Sequence, residues 1–311
     1  MDIKQYMASK AEMVNKRLKE LLVREDEYPQ SVHKAMHYSL FAGGKRLRPA
    51  LALASSEAVG ADCAKAIDVA CAIECIHTYS LIHDDLPAID NDDLRRGAPT
   101  CHKAFGEAIA ILAGDALLTT AFEIMAVINM PSRVFGGGLP SHVLSGGQTD
   151  NGRALQVISE IARAAGSVGM IGGQVVDIES EGKDISFPEL EYMHIHKTGA
   201  LMLASVRCGA LMGGASDEDM IALTRYGEAV GLAFQIADDL LDVEGSQLAM
   251  GKHTGADRKK GKATYPAIMG VQESKRRATE LADRAISSLE GFGNGAGALR
   301  SIAAYIVSRD R

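Results

Sequence analysis

The sequence predicts an all-α fold, and three observations carry that expectation. Ala, Leu, Met and Gly are plentiful in a chain that is 47% hydrophobic, while Trp is absent and aromatics make up only 5%. Runs of β-branched and aromatic residues, the usual mark of strands, are missing. Apolar residues recur instead at helical spacing. In residues 3–24, Ile3, Met7, Met13 or Val14, Leu18, Leu21 and Leu22 share one side and the charges lie opposite, so this is an amphipathic helix that Pro29 closes off. Further helices are expected over about 31–42, 48–59, 62–85, 105–128, 152–179, 188–212, 217–243, 264–290 and 296–308. Residues 131–152, which hold Gly136-Gly137-Gly138, Pro140 and Gly146-Gly147, read as a glycine-rich surface loop between two helices. No repeat of fixed period is visible, so residues 1–311 are expected to form a single domain.

A net charge of −7 without a basic stripe argues against nucleic-acid binding. Cys63, Cys71, Cys75, Cys101 and Cys208 are odd in number and lack the paired spacing of a zinc site, which points to reduced thiols in the cytoplasm. The N-terminus has no apolar signal core. The longest apolar stretches, 108–128 and 199–215, are interrupted by Asp115, Glu123 and Arg207, and read as core helices rather than membrane spans.

Two aspartate clusters carry the chemistry. Asp84-Asp85-Leu86-Pro87-Ala88-Ile89-Asp90 and Asp238-Asp239-Leu240-Leu241-Asp242 each follow a core-like segment. Grouped carboxylates in apolar helices need a counter-charge, and oxygen-only donors favour Mg2+ over zinc or copper. In an unbroken helix Asp84 and Asp90 would lie about 9 Å apart along the axis and on different faces. Pro87 should break the helix and fold Asp90 back towards Asp84. Asp238 and Asp242, four apart with no breaker, share a helical face.

The cations are grouped too, in Gly43-Gly44-Lys45-Arg46-Leu47-Arg48-Pro49, Asp93-Leu94-Arg95-Arg96-Gly97, His196-Lys197-Thr198-Gly199, and around Lys252 and Lys262. Arginine forks and lysines beside glycines suit diphosphate oxygens, because glycine lets the backbone approach and arginine binds two oxygens at once. With the carboxylate clusters, they describe a site that holds diphosphates through metal ions on one side and directly through cations on the other.

These motifs, with Glu74-Cys75-Ile76-His77, Gly173-Gln174, Phe234-Gln235, Lys262-Ala263-Thr264-Tyr265-Pro266 and Tyr305-Ile306-Val307, resemble the short-chain trans-prenyltransferases of the polyprenyl synthase family, in particular bacterial farnesyl diphosphate synthases. The match runs over nearly the whole chain in the right order, and the glycine-rich loop is its main departure. The resemblance implies a homodimer of helical bundles, each with about ten core helices around a central cavity, and the following roles. Asp84 and Asp90 would hold two Mg2+ ions and Asp238 a third, with Asp85, Asp239 and Asp242 ordering metal-bound waters. Arg95, Lys197 and Lys252 would grip an allylic diphosphate, and Lys45, Arg48, His77 and Arg96 isopentenyl diphosphate. Lys262 would assist near the metals, while Thr198, Gln235 and the Lys197 carbonyl would lie beside the developing cation. Tyr79, five residues and about 7.5 Å before Asp84 on one helix, would be the floor that stops the product at fifteen carbons. Geranylgeranyl diphosphate is the alternative product.

Three rival readings fit less of the sequence. A di-iron oxidase would use Glu74-x-x-His77 and Glu191-x-x-His194 but leaves both aspartate clusters and Arg95-Arg96 without a role. A class I terpene cyclase replaces the second cluster with an Asn/Asp, Ser/Thr, Glu pattern, which is absent here. A non-catalytic prenyltransferase subunit typically has damaged aspartate motifs, and these are intact.

Overall fold

A computed structural model of the chain describes residues 1–128, 151–244 and 263–309. Lys252, Lys262 and most of the glycine-rich loop lie outside the described residues. The first helix, α1 (Ile3–Leu21), starts where the Asp2 carboxylate accepts the Lys4 and Gln5 N–H groups, and it buries Met7, Val14, Leu18 and Leu21. Next come α2 (Gln30–Phe41), α3 (Leu47–Ala58), a 3-10 turn (Cys63–Ala66) and α4 (Ile67–Asp84). Apolar residues bury α4 on nearly every side, so it is a central helix rather than an amphipathic surface one. The expected 62–85 helix is thus a turn plus a helix.

A short element missed by the sequence reading follows. Strands β1 (Leu94–Arg95) and β2 (Ala98–Pro99) pair antiparallel around Arg96-Gly97, both at positive φ (55° and 80°). Two left-handed residues are what a tight hairpin of right-handed twist requires. Four residues of ribbon are too few to give a periodic signal.

Beyond it lie α5 (Cys101–Phe105), α6 (Glu107–Val127), α7 (Asn151–Ala165), α8 (Met170–Ser180) and α9 (Phe187–His194). A π turn (Ile195–Gly199) runs on into α10 (Ala200–Gly213). The chain then forms α11 (Asp217–Glu244), α12 (Tyr265–Met269), α13 (Val271–Ser287) and α14 (Gly297–Ser308). Glycines explain where expected helices are split. Gly270, at positive φ, divides the expected 264–290 helix into α12 and α13, and 166–169 breaks the expected 152–179 helix, while Gly106, also at positive φ, separates α6 from α5, a short helix the sequence did not lead us to expect.

Two apolar clusters fill the bundle. One surrounds α4 with α1, α2, α6 and α7. The other surrounds α11 with α13 and α14. Helices α3 and α10 give side chains to both and cross closely, since a Cβ on Gly209 would sit 2.0 Å from the Ala52 carbonyl oxygen. Helix α6, apolar and long enough by composition to cross a membrane, packs on α4 and α2. All five cysteines are free and buried.

Candidate active site

The first aspartate motif leaves its helix as Pro87 requires. After α4 ends, the Asp85 N–H reaches the Leu81 carbonyl (3.2 Å) and the Leu86 N–H the His83 carbonyl (3.1 Å). The chain then doubles back. The Asp90 N–H donates to the Asp84 carbonyl (2.8 Å), the Asn91 N–H donates to the Leu86 carbonyl (3.0 Å), and Asn91 takes φ 51°. Asp84 and Asp90 are thereby drawn together. Burial, with the neighbouring Asp90 and Asp85 charges, lifts the Asp84 pKa, and Lys197 and Arg95 oppose the rise.

Asp85 turns the other way. It is 2% exposed, and both of its oxygens accept from the Arg95 guanidinium at 2.5–2.8 Å. The ribbon makes this pairing possible by returning the chain ten residues later, and it sends Arg96 across to the Gly43 carbonyl.

The second motif stays within α11. Asp239 is buried, and its oxygens accept from the Gln235 amide (2.9 Å) and the Tyr265 N–H (3.0 Å). Asp238 and Asp242, one turn apart, are half-buried. The Arg309 guanidinium pairs with Asp238 and lies over the Phe234 ring, 4.2 Å from its centroid. The resemblance assigns Asp85 and Asp239 to metal-bound waters, yet here each serves protein donors.

Between the motifs runs the π turn with Lys197 and Thr198. Lys197 Nζ donates to Asp177 Oδ2 (2.5 Å), and Thr198 Oγ1 donates to Gln235 Oε1 (2.7 Å). Lys197 acts electrostatically on Asp84, and from the same turn hydrogen bonds run through Thr198 and Gln235 to Asp239. Gly173 is what lets the turn approach α8, because a Cβ there would stand 2.1 Å from the Lys197 nitrogen. The buried amide nitrogen of Gln174 has no hydrogen-bond partner among the described residues. His194 stacks on Tyr265 (5.3 Å) with Nε2 4.0 Å from Asp239, and burial pushes its pKa down to about 3.

A separate cation group lines a cavity of about 530 Å³, with Gly43, Gly44, Lys45, Arg48, His77, Arg96, Phe234 and Arg309 in its wall. Arg48 Nη1 is 3.4 Å from His77 Nε2. Burial and the surrounding arginines hold the His77 pKa well below its usual value, so the ring stays neutral. Asp238 acts electrostatically on Arg48, which places the second motif beside this cavity.

Among the described residues no three His, Cys, Asp or Glu side chains converge tightly enough to hold a metal unaided. A small hard divalent cation is commonly held by one or two carboxylates, with water and substrate phosphate completing its shell. Asp84, Asp90 and Asp238, the carboxylates expected to bind metal, have the oxygen-only donor chemistry that suits such a cation.

Sequence reasoning missed Asp177 and Arg309, and it quoted Glu74 in a motif without giving it a role in the favoured reading. Asp177, one turn after Gly173, holds Lys197. Glu74 pairs with Arg46 rather than facing a metal. Arg309 lies just past Tyr305-Ile306-Val307, and only tertiary contact shows its importance.

A polyprenyl synthetase family model matches residues 29–291. The farnesyl diphosphate synthase of Geobacillus stearothermophilus is 44% identical, covering 100% of this chain and 99% of that protein. A chloroplastic large subunit of heterodimeric geranylgeranyl pyrophosphate synthase from Arabidopsis thaliana is 45% identical, over 99% of this chain and 80% of its own length. Among solved structures, the geranylgeranyl pyrophosphate synthetase of Pyrococcus horikoshii superposes with a TM-score of 0.85 at 30% identity, covering 99% and 98% of the two chains.

Proposed function

Since the chain belongs to the polyprenyl synthetase family and is a prenyltransferase, we propose that it condenses isopentenyl diphosphate with dimethylallyl and then geranyl diphosphate to give farnesyl diphosphate. The observation that carries this reading is the pairing of two carboxylate motifs with two separate cation groups, one for each diphosphate.

On the allylic side, Lys197 and Arg95 bind the diphosphate, with Lys252 and Lys262 as further candidates outside the described residues. Bound at Asp84, Asp90 and Asp238, about three Mg2+ ions would neutralise the diphosphate charge that grows as the allylic carbon–oxygen bond breaks. Thr198 and Gln235, fixed by their mutual hydrogen bond, present oxygen dipoles to the allylic cation. On the other side Lys45, Arg48, His77 and Arg96 hold isopentenyl diphosphate, and neutral His77 adds a hydrogen bond without adding charge. The isopentenyl double bond attacks the allylic carbon, a carbon–carbon bond forms, and the proton lost from the adjacent carbon goes to the departing diphosphate. Most of the rate gain is positioning.

Product length rests on Tyr79. Its ring is 6% exposed and stands edge-on to His83 at 5.6 Å. Its hydroxyl has no partner among the described residues, and burial pushes its pKa up to about 12. An aromatic floor at this depth supports a fifteen-carbon product over a twenty-carbon one. Mass analysis of products from dimethylallyl, geranyl and farnesyl diphosphate as separate primers tests it. Wild type should stop at fifteen carbons and Tyr79→Ala should reach twenty or more. A wild type that already makes geranylgeranyl diphosphate, or a folded variant with unchanged products, would refute the floor.

The homodimer is part of the same reading. Exposed apolar residues on α6 (Ile111, Leu112) and along one stripe of α8 (Ile171, Val175, Ile178) offer the surface for it. Light scattering should give twice the 33.0 kDa chain mass.

A further inference from the structure

The loop before α3 is fastened by Arg46, which with Glu74 forms part of the cavity wall but is itself almost wholly buried. Arg46 is 3% exposed and, though not glycine, sits at φ 50°. A left-handed arginine persists only where its surroundings impose it. Its guanidinium reaches three helices and its own loop at once. Nε donates to Asn15 Oδ1 on α1 (2.9 Å), Nη2 to the Leu40 carbonyl on α2 (2.5 Å), and Nη1 to the Gly43 carbonyl (3.2 Å) and to Glu74 Oε1 on α4 (2.7 Å).

Both partners of the Glu74–Arg46 pair are 2% exposed at their side chains. An ion pair so buried is a poor source of stability, because desolvation offsets most of the attraction and well-packed apolar residues do as well or better. Another reason for it lies in what flanks it. Arg48 is two residues beyond Arg46, and His77 is one helical turn beyond Glu74 on α4. The Gly43 carbonyl accepts from Arg46 on one side and from Arg96 on the other. Gly44 leaves room for that second arginine, since a Cβ there would stand 2.6 Å from the Arg96 guanidinium carbon.

We propose that the Glu74–Arg46 pair is the positioning device of the isopentenyl half-site, tying the 43–48 loop to α4 so that Arg48, His77 and Arg96 face one diphosphate together. The inference rests on reading this cavity as the isopentenyl site. Glu74 also supplies the negative charge that lets Arg46, Arg48 and Arg96 crowd together before substrate arrives. Lysine could not replace Arg46, because its ammonium has three donors at one point rather than five in a planar fork.

The test compares full-length wild type, Glu74→Gln, the apolar pair Arg46→Met with Glu74→Leu, and Asn15→Ala. The readouts are KM for each substrate, isopentenyl diphosphate binding by calorimetry, and the thermal unfolding midpoint. Glu74→Gln should raise KM and Kd for isopentenyl diphosphate roughly tenfold or more and leave the allylic KM within about twofold. The apolar pair should recover a midpoint close to wild type while its KM for isopentenyl diphosphate stays high, which a purely structural role would not produce. Asn15→Ala, which keeps the ion pair, should show the same one-sided KM change at roughly threefold and decides the matter if Glu74→Gln does not fold. Normal isopentenyl KM in the apolar pair, or both KM values rising together as the midpoint falls, would overturn the proposal. Wild type that neither binds nor condenses isopentenyl diphosphate would overturn the half-site reading and the proposal with it.

Discussion

The two aspartate motifs present similar carboxylates by opposite means. The first leaves α4 at Asp84, and Pro87 and a left-handed Asn91 bend the chain until the Asp90 N–H meets the Asp84 carbonyl. The second never leaves α11, where four-residue spacing alone puts Asp238 and Asp242 on one face. Their supports differ in kind as well. Asp85 takes its counter-charge from Arg95, ten residues on, whereas Asp239 and Asp238 depend on Tyr265 and Arg309, 26 and 71 residues away. The first motif is therefore a local device that can form with its own hairpin. The second is completed only when the C-terminal part of the chain has packed. In both, the second aspartate is buried as an anchor, and the outer ones are those that the proposed function assigns to metal ions.

Substitutions at the outer and inner carboxylates should have the largest and most clearly different effects. Asp84→Ala and Asp238→Ala should each lower kcat roughly a thousandfold or more with little loss of folding. Asp239→Asn should cost roughly tenfold to a hundredfold and leave Mn2+ affinity close to wild type, since it disturbs Gln235 rather than a metal ligand. Equal losses of Mn2+ affinity in Asp238→Ala and Asp239→Asn would erase the distinction between outer and inner positions.

Acid should reveal the buried histidines beside each motif. The unfolded chain takes up the His194 proton as pH falls through the ordinary value of 6.5, whereas the folded chain refuses it until about 3. Stability is therefore lost on acidification across that window, by about 2 kcal/mol between pH 7 and 5 for His194 alone. His77, depressed in the same direction, adds to the slope. Denaturant titrations of His194→Gln at several pH values should show a shallower decline than wild type, and an unchanged slope would mean that His194 takes up protons in the folded state.

The smallest expected effect concerns Arg309. Because its guanidinium rests on Asp238 in the metal-free protein, Arg309→Gln should tighten Mn2+ binding severalfold, roughly three to ten, as read by Mn2+ titration without substrate. Unchanged or weaker binding would show that Arg309 does not compete for the Asp238 carboxylate.

Local signals made the helices, both motifs and the cation groups legible in the sequence. Pro87 announced the bulge, and the four-residue spacing of Asp238 and Asp242 announced a shared face. What stayed hidden depends on contacts distant in sequence or on backbone geometry without periodicity. The Arg95–Asp85 pair needs a four-residue ribbon that no alternation could reveal. The π turn at Lys197 needs Gly173 opposite, and Arg46 and Arg48 look interchangeable until burial separates them.

The central claim, that two carboxylate motifs and two cation groups serve one condensation, is tested most directly by incubating the purified chain with isopentenyl and dimethylallyl diphosphates and Mg2+ and following products by mass spectrometry. Geranyl and then farnesyl diphosphate should appear, with one diphosphate released for each carbon–carbon bond formed, and chelation should abolish both products. Folded, metal-supplied protein that releases no diphosphate and leaves both substrates unjoined would contradict that claim.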